Sequence, residues 1–333
     1  MGRLRSAIRM LRPAPPALSP TCRQSILGPE RPVLRSTDDT IVLVWLDAHA
    51  TLPPENLPLF IRNFFASAII ATAIGSVVEG ADASGSWPTW RGLQRDAVSS
   101  ETGLLEEWPA SGPPLLWSVD GLGSGYSSVA IDNSRIFTLG NRGGRALLIA
   151  LDRRDGEEMW ATPLGGGDPN STPTVDARRV YALGREGDFI CADVNTGREL
   201  WRKHLQRDFG GRMMSGWGYS ESPLIDGERL ICTPGGDDAA LVALDKATGD
   251  VVWKSPAATG SLGVDGAGYS SVVASDACGV RQYVQLTGRG LVGVAADDGR
   301  LLWSYNRVAN GTANIPTPIV VGDYVFASSG YGT

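Results

Sequence analysis

Residues 222–253 read SPLIDGERLICTPGGDDAALVALDKATGDVVW and contain four short apolar runs. An Asp-Gly pair at 226–227, a PGGD segment at 234–237 and a KATG segment at 246–249 separate the runs, and all three are turn formers. No run reaches the length of a typical helix, and the β-branched residues within the runs favour strands. The stretch therefore predicts one four-stranded antiparallel unit.

This unit recurs along the chain, and its clearest mark is a glycine followed four residues later by a tryptophan. The pairs are Gly156 and Trp160, Gly197 and Trp201, Gly249 and Trp253, and Gly299 and Trp303. An acidic residue stands four before three of the glycines, at Asp152, Asp193 and Asp245, whereas Ala295 takes that place in the fourth. Counting Trp117, successive tryptophans lie 41 to 52 residues apart. This period is typical of four-stranded blades, so we predict an all-β fold, a β-propeller.

The two repeated residue types have physical reasons. A glycine accepts the positive φ that a tight turn before the outer strand requires. The tryptophan on that strand can pack between adjacent blades while its indole N–H reaches a backbone carbonyl. We therefore expect these tryptophans to be docking motifs of the fold, without a binding role.

The sequence contains four complete units over residues 121–303, followed by two strands at 317–328. Residues 115–119, around Trp117, resemble an outer strand that lacks its three predecessors. This strand could join the last two as an imperfect fifth blade, or further blades could lie outside the sequence. We favour an incomplete ring, because a blade without its third strand leaves unpaired backbone groups in mid-sheet.

Four segments are predicted from composition. Residues 1–56 are basic and proline-rich, indicating a disordered tail or a misassigned translation start. Residues 57–83 resemble a signal peptide, with Arg62, an uncharged run at 64–78 and an Ala-x-Ala site at 81–83. That run is too short for a stable membrane span. Residues 84–114 form a lead-in strap and 115–333 the propeller. We expect an exported protein, periplasmic or extracellular, and the net charge of −6 argues against nucleic-acid binding.

The sequence ALDKATGDVVW at 243–253 resembles the repeat of the pyrroloquinoline quinone (PQQ) propeller family, and CADVNTGRELW at 191–201 matches less fully. The resemblance covers roughly residues 115–333. WPTWRG at 87–92 and GYSESP at 218–223 look most like exported bacterial proteins of the polyvinyl-alcohol-dehydrogenase-like type. The family includes quinoprotein alcohol dehydrogenases and also the quinone-free propeller subunit of the outer-membrane β-barrel assembly machine. The fold alone does not choose between these functions.

The candidate site lies on the face where outer strands connect to the next inner strands, together with the loops between second and third strands. We call this the funnel face. Its candidate ligand-binding residues are Arg212, Trp217, Tyr219, Glu221, Arg289, Asn310 and Asn314. Arginine forks suit the carboxylates of PQQ, and carboxylate and amide oxygens suit Ca²⁺. The same residues could instead form a polar surface for a protein, peptide or carbohydrate.

The sequence is compatible with two functions. We favour a non-catalytic binding or scaffolding propeller, and the alternative is a PQQ- and Ca²⁺-dependent alcohol dehydrogenase. No catalytic base stands out among Asp208, Asp237 and Asp265, and no protein metal site is predicted. With only His49 and His204 in the chain, a histidine zinc site or a Ser-His-Asp hydrolase is not expected.

Overall fold

The computed structural model describes residues 85–104 and 106–331, and the backbone of two short strands nearer the N-terminus, β1 (Arg23–Ile26) and β2 (Thr40–Asp47). These residues form five four-stranded sheets, which do not close into a ring. The prediction of an all-β propeller with an incomplete ring is confirmed.

Four sheets are built from consecutive antiparallel strands and are numbered as blades along the chain. Blade 1 comprises β3 (Ala130–Ile131), β4 (Arg135–Arg142), β5 (Arg145–Asp152) and β6 (Glu158–Gly166). Blade 2 comprises β7 (Thr174–Asp176), β8 (Arg179–Leu183), β9 (Asp188–Asp193) and β10 (Glu199–His204). Blade 3 comprises β11 (Leu224–Asp226), β12 (Arg229–Cys232), β13 (Leu241–Asp245) and β14 (Val251–Ser255). Blade 4 comprises β15 (Val273–Ser275), β16 (Gln282–Thr287), β17 (Gly290–Ala295) and β18 (Leu301–Tyr305).

The fifth sheet combines the two ends of the described chain. Its inner strands are β19 (Ile319–Val321) and β20 (Tyr324–Ser329), and β2 pairs antiparallel with β20, with Thr40 opposite Ser329. Strand β1 completes the order β1-β2-β20-β19. Two strands thus fall within the segment 1–56, and the signal-peptide-like segment 57–83 lies outside the described residues and stays a prediction. Short helical turns occur at α1 (Leu205–Phe209) and, as 3-10 helices, at Ala277–Gly279 and Asn306–Val308.

The repeated acidic residue folds the turn before the outer strand in blades 1, 2 and 3. The Asp245 carboxylate accepts the backbone N–H groups of Ala247 at 2.8 Å and Thr248 at 2.9 Å, and the N–H of Gly249 bonds the carbonyl of Asp245. Gly249 has a φ of +77°, which explains the glycine. In blade 4 the Gly299 N–H bonds the carbonyl of Ala295 in the same way, so the turn forms there without a carboxylate.

Three of the four repeat tryptophans, Trp160, Trp201 and Trp253, cover the turn glycine of the following blade. Trp303 differs from the prediction, because its ring lies against Gly293 of its own blade and its indole N–H donates to Gln282 Oε1 at 2.7 Å. A Cβ on Gly299 would lie 2.5 Å from the Trp253 ring, and the Trp253 indole N–H donates to the carbonyl of Ala296 at 2.8 Å. Equivalent stacks are Trp160 on Gly197 and Trp201 on Gly249. Among the described residues Trp160 has no partner for its indole N–H. The core accordingly lies between neighbouring sheets, as where Tyr181 of blade 2 packs with Leu230 of blade 3.

Residues 115–119 differ from the prediction, because they form no strand. Leu115 and Leu116 are exposed, while Trp117 stacks on Gly156 of blade 1 and donates to the carbonyl of Arg153 at 3.1 Å. The tryptophan therefore docks as Trp160, Trp201 and Trp253 do, without the strand hydrogen bonds that the sequence predicted around it.

A hydrogen-bonded belt of hydroxyl groups joins blades 2, 3 and 4 and the fifth sheet next to their inner strands. The N–H of Thr172 donates to Ser222 Oγ at 3.1 Å, the N–H of Ser222 to Ser271 Oγ at 2.9 Å, and the N–H of Ser271 to Thr317 Oγ1 at 3.0 Å. Each hydroxyl lies two residues before an inner strand. The belt thus fixes the start of each inner strand against the next, at the floor of the funnel face.

Residues 86–97 of the predicted lead-in segment 84–114, which alone we call the strap from here on, run across the inner strands of blades 1 and 2. Trp87 pairs with Ile131 of blade 1 through two backbone hydrogen bonds of 2.8 Å. The carbonyl of Pro88 accepts the N–H of Val175 in blade 2 at 2.8 Å. The strap therefore caps inner-strand edges that would otherwise be unpaired.

Candidate functional site

The funnel face carries a chain of four alternating charges. Both terminal nitrogens of Arg212 donate to the carboxylate of Asp237, with a distance of 3.2 Å between Nη1 and Oδ2. Nη2 of Arg212 also lies 3.7 Å from a carboxylate oxygen of Asp265. Arg289 Nε donates to Asp265 at 2.6 Å. This hydrogen bond is the main reason that the pKa of Asp265 lies below its ordinary value. Both arginines are thus held in place by acids from the same face.

An aromatic patch of Trp217, Tyr269 and Tyr331 lies on the same face. The ring of Trp217 is half exposed and meets Tyr269 edge to face, with centroids 5.7 Å apart, and Tyr331 at 6.4 Å. Asn170 holds the Trp217 carbonyl at 2.9 Å, and Ser215 Oγ lies 2.6 Å from the Tyr269 hydroxyl. The N–H of Trp217 also donates to the Tyr269 hydroxyl at 3.4 Å, so the backbone beneath this half-exposed ring is bonded to two other connectors.

Glu221 is buried beneath these groups, with 3% of its surface exposed. Its carboxylate accepts the N–H of Thr233 at 2.5 Å and the side-chain amide of Gln285 at 3.2 Å. The same amide donates to Thr233 Oγ1 at 2.8 Å and to the carbonyl of Ser270. Burial raises the pKa of Glu221 to about 7 in spite of these hydrogen bonds. The carboxyl group therefore links blades 3 and 4 under the funnel.

Three other predicted residues are also engaged within the chain. Tyr219 is buried and donates its hydroxyl to the carbonyl of Pro234 at 2.9 Å. Asn314 is fully buried and donates to the carbonyl of Thr287 at 2.8 Å, while its oxygen accepts from both nitrogens of Asn310. The two asparagines lock the connector between blade 4 and the fifth sheet.

The seven predicted residues thus divide into two sets. Arg212, Trp217 and Arg289 are accessible on the funnel face, whereas Tyr219, Glu221, Asn310 and Asn314 are buried below it. Of the acids considered as bases, Asp237 and Asp265 pair with the two arginines, and Asp208 accepts the N–H of His204 at 2.7 Å.

Sequence reasoning missed Tyr269, Tyr331 and Gln285. The segment GYSS at 268–271 aligns with GYSE at 218–221, and this similarity was the available signal for Tyr269. For the other two residues the sequence offered no signal.

The fit of PQQ and Ca²⁺ can be tested against these donors. The side-chain oxygen of Asn310 already accepts the N–H groups of Thr312 and Ala313, and the oxygen of Asn314 is bonded to Asn310. Glu221 is closed in by Thr233 and Gln285. Across the described ranges, no three His, Cys, Asp or Glu side chains are placed to hold a metal ion. As arranged, these residues do not fit a quinone with its Ca²⁺.

A repeated glycine-turn, tryptophan-docked blade defines the class of protein as a β-propeller of PQQ-like repeats. The family described as "Outer membrane protein assembly factor BamB" matches this chain over residues 108–207 and 144–333. The chain therefore belongs to that family. The two overlapping matches reflect the internal repeat.

Two curated relatives carry the name outer membrane protein assembly factor BamB. The protein of Kangiella koreensis is 30% identical over 139 residues, covering 38% of this chain and 31% of the relative. The protein of Burkholderia pseudomallei is 29% identical over 119 residues, covering 32% and 27%. The matched part of the chain thus spans about a third of the length of these relatives.

Among solved structures, the quinohemoprotein alcohol dehydrogenase of Comamonas testosteroni superposes with a TM-score of 0.52 at 14% identity. The match covers 71% of this chain and 43% of the dehydrogenase. At this identity the likeness concerns the fold alone. In the part of the chain that the structure describes, no helix is long and apolar enough to cross a membrane.

Proposed function

We propose that this chain is a non-catalytic scaffolding propeller whose funnel face binds another protein. The observation that carries the proposal is the half-exposed ring of Trp217, packed on Tyr269, on the same face as the charge chain of Arg212 and Asp265. Tryptophan and arginine are the residue types that most often dominate protein interfaces. A protein partner also agrees with the assembly-factor names of the relatives.

The buried residues support a scaffold over a dehydrogenase. The polar groups that would have to bind a quinone and its metal are bonded within the chain, where they connect blades. Their removal would weaken the propeller itself, whereas the groups left accessible are aromatic and already ion-paired. The proposed location is the periplasm, in keeping with the signal-peptide-like segment 57–83 and with relatives named outer membrane protein assembly factor.

The partner is tested by site-specific photo-cross-linking in the native cells. A photoreactive amino acid replaces Trp217, and in a second variant it replaces Val252, which is about as exposed but lies on the outer strand β14. We expect a protein cross-link from position 217 that is absent from position 252, identified by mass spectrometry. Equal cross-linking from both positions, or only a carbohydrate adduct at 217, would contradict the proposal.

Two substitutions measure what the surface contributes. With the cross-linked partner purified, we expect Trp217→Ala to weaken binding about 30-fold or more, as for an interface hot spot. We expect Asp265→Asn to change the association rate and its salt dependence, because both arginines lose an acid. Val252→Ala serves as the matched control and should bind as the wild type does.

The dehydrogenase alternative has its own measurement. PQQ and Ca²⁺ are added to the purified protein, which is then scanned for quinone absorbance and for dye reduction with alcohols. Bound quinone together with turnover would overturn the scaffold proposal.

A further inference from the structure

Arg95 of the strap is buried inside the propeller, with 4% of its surface exposed. Its guanidinium donates to the carbonyl of Val272 in blade 4 at 2.8 Å and to the carbonyls of Ser222, at 3.0 Å, and Pro223 in blade 3. It also donates to Thr89 Oγ1 within the strap at 3.2 Å. One side chain therefore ties the strap to two neighbouring blades.

Burial of the Arg95 charge and a strained backbone both oppose this arrangement. Burial lowers the pKa of Arg95 to about 10, with the charge of Glu221 acting in the other direction. Arg95 Nε is buried and has no hydrogen-bond partner among the residues that the structure describes. The backbone is left-handed at Arg91 (φ +66°), Arg95 (φ +57°) and Ala97 (φ +62°), a conformation that side-chain-bearing residues disfavour. Such strain persists only where the surrounding contacts outweigh it.

Within residues 91–97 of the strap, only Gly92 and Arg95 are buried. Leu93 is 66% exposed, and Gln94 and Asp96 are exposed as well. Residues 91–96 form one wall of a cleft of about 670 Å³ on the face opposite the funnel, whose other walls include Leu224, Val273 and Ile319. A segment with few buried apolar contacts and a small number of strong attachments is expected to open locally, below global unfolding.

We propose that the strap is a latch locked by Arg95, which opens as a unit while the blades stay folded. Opening withdraws the guanidinium from between blades 3 and 4 and exposes the carbonyl groups of Ser222, Pro223 and Val272 to the cleft. Two of the carbonyl groups that accept from Arg95 lie next to residues of the site. Ser222 directly follows Glu221 of the funnel floor, and Val272 directly follows Ser271 of the hydroxyl belt. Release of the latch therefore removes hydrogen bonds from the backbone next to Glu221 and Ser271, on the side away from the funnel face.

Native-state hydrogen exchange of the full chain tests this directly. The reporters are the amides of Trp87, Ile131 and Val175, which close the strap against blades 1 and 2. The reference amides are those of Leu148 and Val180, in buried strands of the same two blades. In the wild type we expect the reporters to exchange by a local opening that is insensitive to low urea, and the references only by a larger, urea-sensitive opening.

Arg95→Met removes the guanidinium and keeps most of the side-chain volume. We expect it to speed exchange of the three reporters about ten- to a hundredfold, the effect of losing hydrogen bonds to a charged group, and to leave the references unchanged. Arg91→Met is the matched control, because Arg91 lies over the ring of Trp90, where no strap attachment is lost, and its rates should equal those of the wild type.

Two results would overturn the latch. In the first, reporters and references exchange at one common, urea-sensitive rate in the wild type, so that the strap opens only when the blades unfold. In the second, Arg95→Met leaves the reporter rates unchanged. If Arg95→Met does not fold, Arg95→Lys is measured instead, since it keeps the charge and loses the forked geometry. Its reporters should then exchange faster than in the wild type, and unchanged rates would again overturn the latch.

Discussion

A carboxyl group at position 221 makes the stability of the propeller depend on pH. Burial raises the pKa of Glu221 from 4.5 to about 7, outweighing the hydrogen bonds from Thr233 and the charge of Arg95. Between these values the folded chain binds more protons at this site than the unfolded chain does. The site's contribution to the free energy of unfolding is therefore fully present below about pH 4.5, declines as the pH rises to about 7, and changes little above.

Glu221→Gln removes this titration while keeping the shape of the side chain. We expect the free energy of unfolding of the wild type to fall relative to that of the variant between pH 4.5 and 7, by on the order of 3 kcal/mol at most. Urea unfolding across that range measures the difference. Glu101→Gln, a change at an exposed acid, serves as the control. A constant difference between wild type and Glu221→Gln would show that the carboxyl group does not titrate in this window.

At the scale of the blade, the turn glycine and the docking tryptophan act as one contact. Gly299→Ala places a methyl group 2.5 Å from the ring of Trp253 at a φ of +76°. At Gly227, with a φ of +58°, the added methyl group has no described residue within 4 Å. Both changes cost about 1–2 kcal/mol for the left-handed backbone. We expect Gly299→Ala to cost a further 1–3 kcal/mol or so from overpacking, measured by urea unfolding. Equal losses in the two variants would mean that the ring moves aside freely.

The sequence predicted these elements because each is encoded locally. The spacing of Gly299 after Trp253 and the Asp-x-x-Thr-Gly turn at Asp245 need only a short stretch of chain, so the blades and their docking order could be derived. The site was predicted only in part, because its contacts join distant segments. Whether Glu221 faces a ligand or Gln285 depends on how blades 3 and 4 pack together. The sequence around Arg95 likewise does not indicate that its side chain is buried between these two blades.

At the scale of the whole molecule, the blades form a series in which each sheet packs on its neighbours. The hydrophobic clusters lie between successive sheets, from blades 1 and 2 to blade 4 and the fifth sheet. In such an array the stability is close to a sum over neighbouring interfaces. The strap is the exception, because it contacts blade 1 through Trp87, blade 2 through Pro88, and blades 3 and 4 through Arg95.

The additive array and the strap give opposite expectations for the interaction energy between two distant substitutions. Trp117→Phe weakens the docking on blade 1, and Trp253→Phe weakens the contact between blades 3 and 4, since each loses its indole hydrogen bond. If neighbouring interfaces dominate, as we expect, the two losses in the free energy of unfolding add to within about 0.5 kcal/mol. Trp253→Phe combined with Gly299→Ala, at one interface, should instead deviate from additivity by about 0.5–3 kcal/mol.

Urea unfolding of the single and double variants measures both interaction energies. A distant pair that deviates as strongly as the neighbouring pair would contradict the additive array and point to the strap as the connection. Repeating that cycle in the Arg95→Met background separates the two causes, because coupling carried by the strap disappears there, whereas coupling carried through the intervening blades remains.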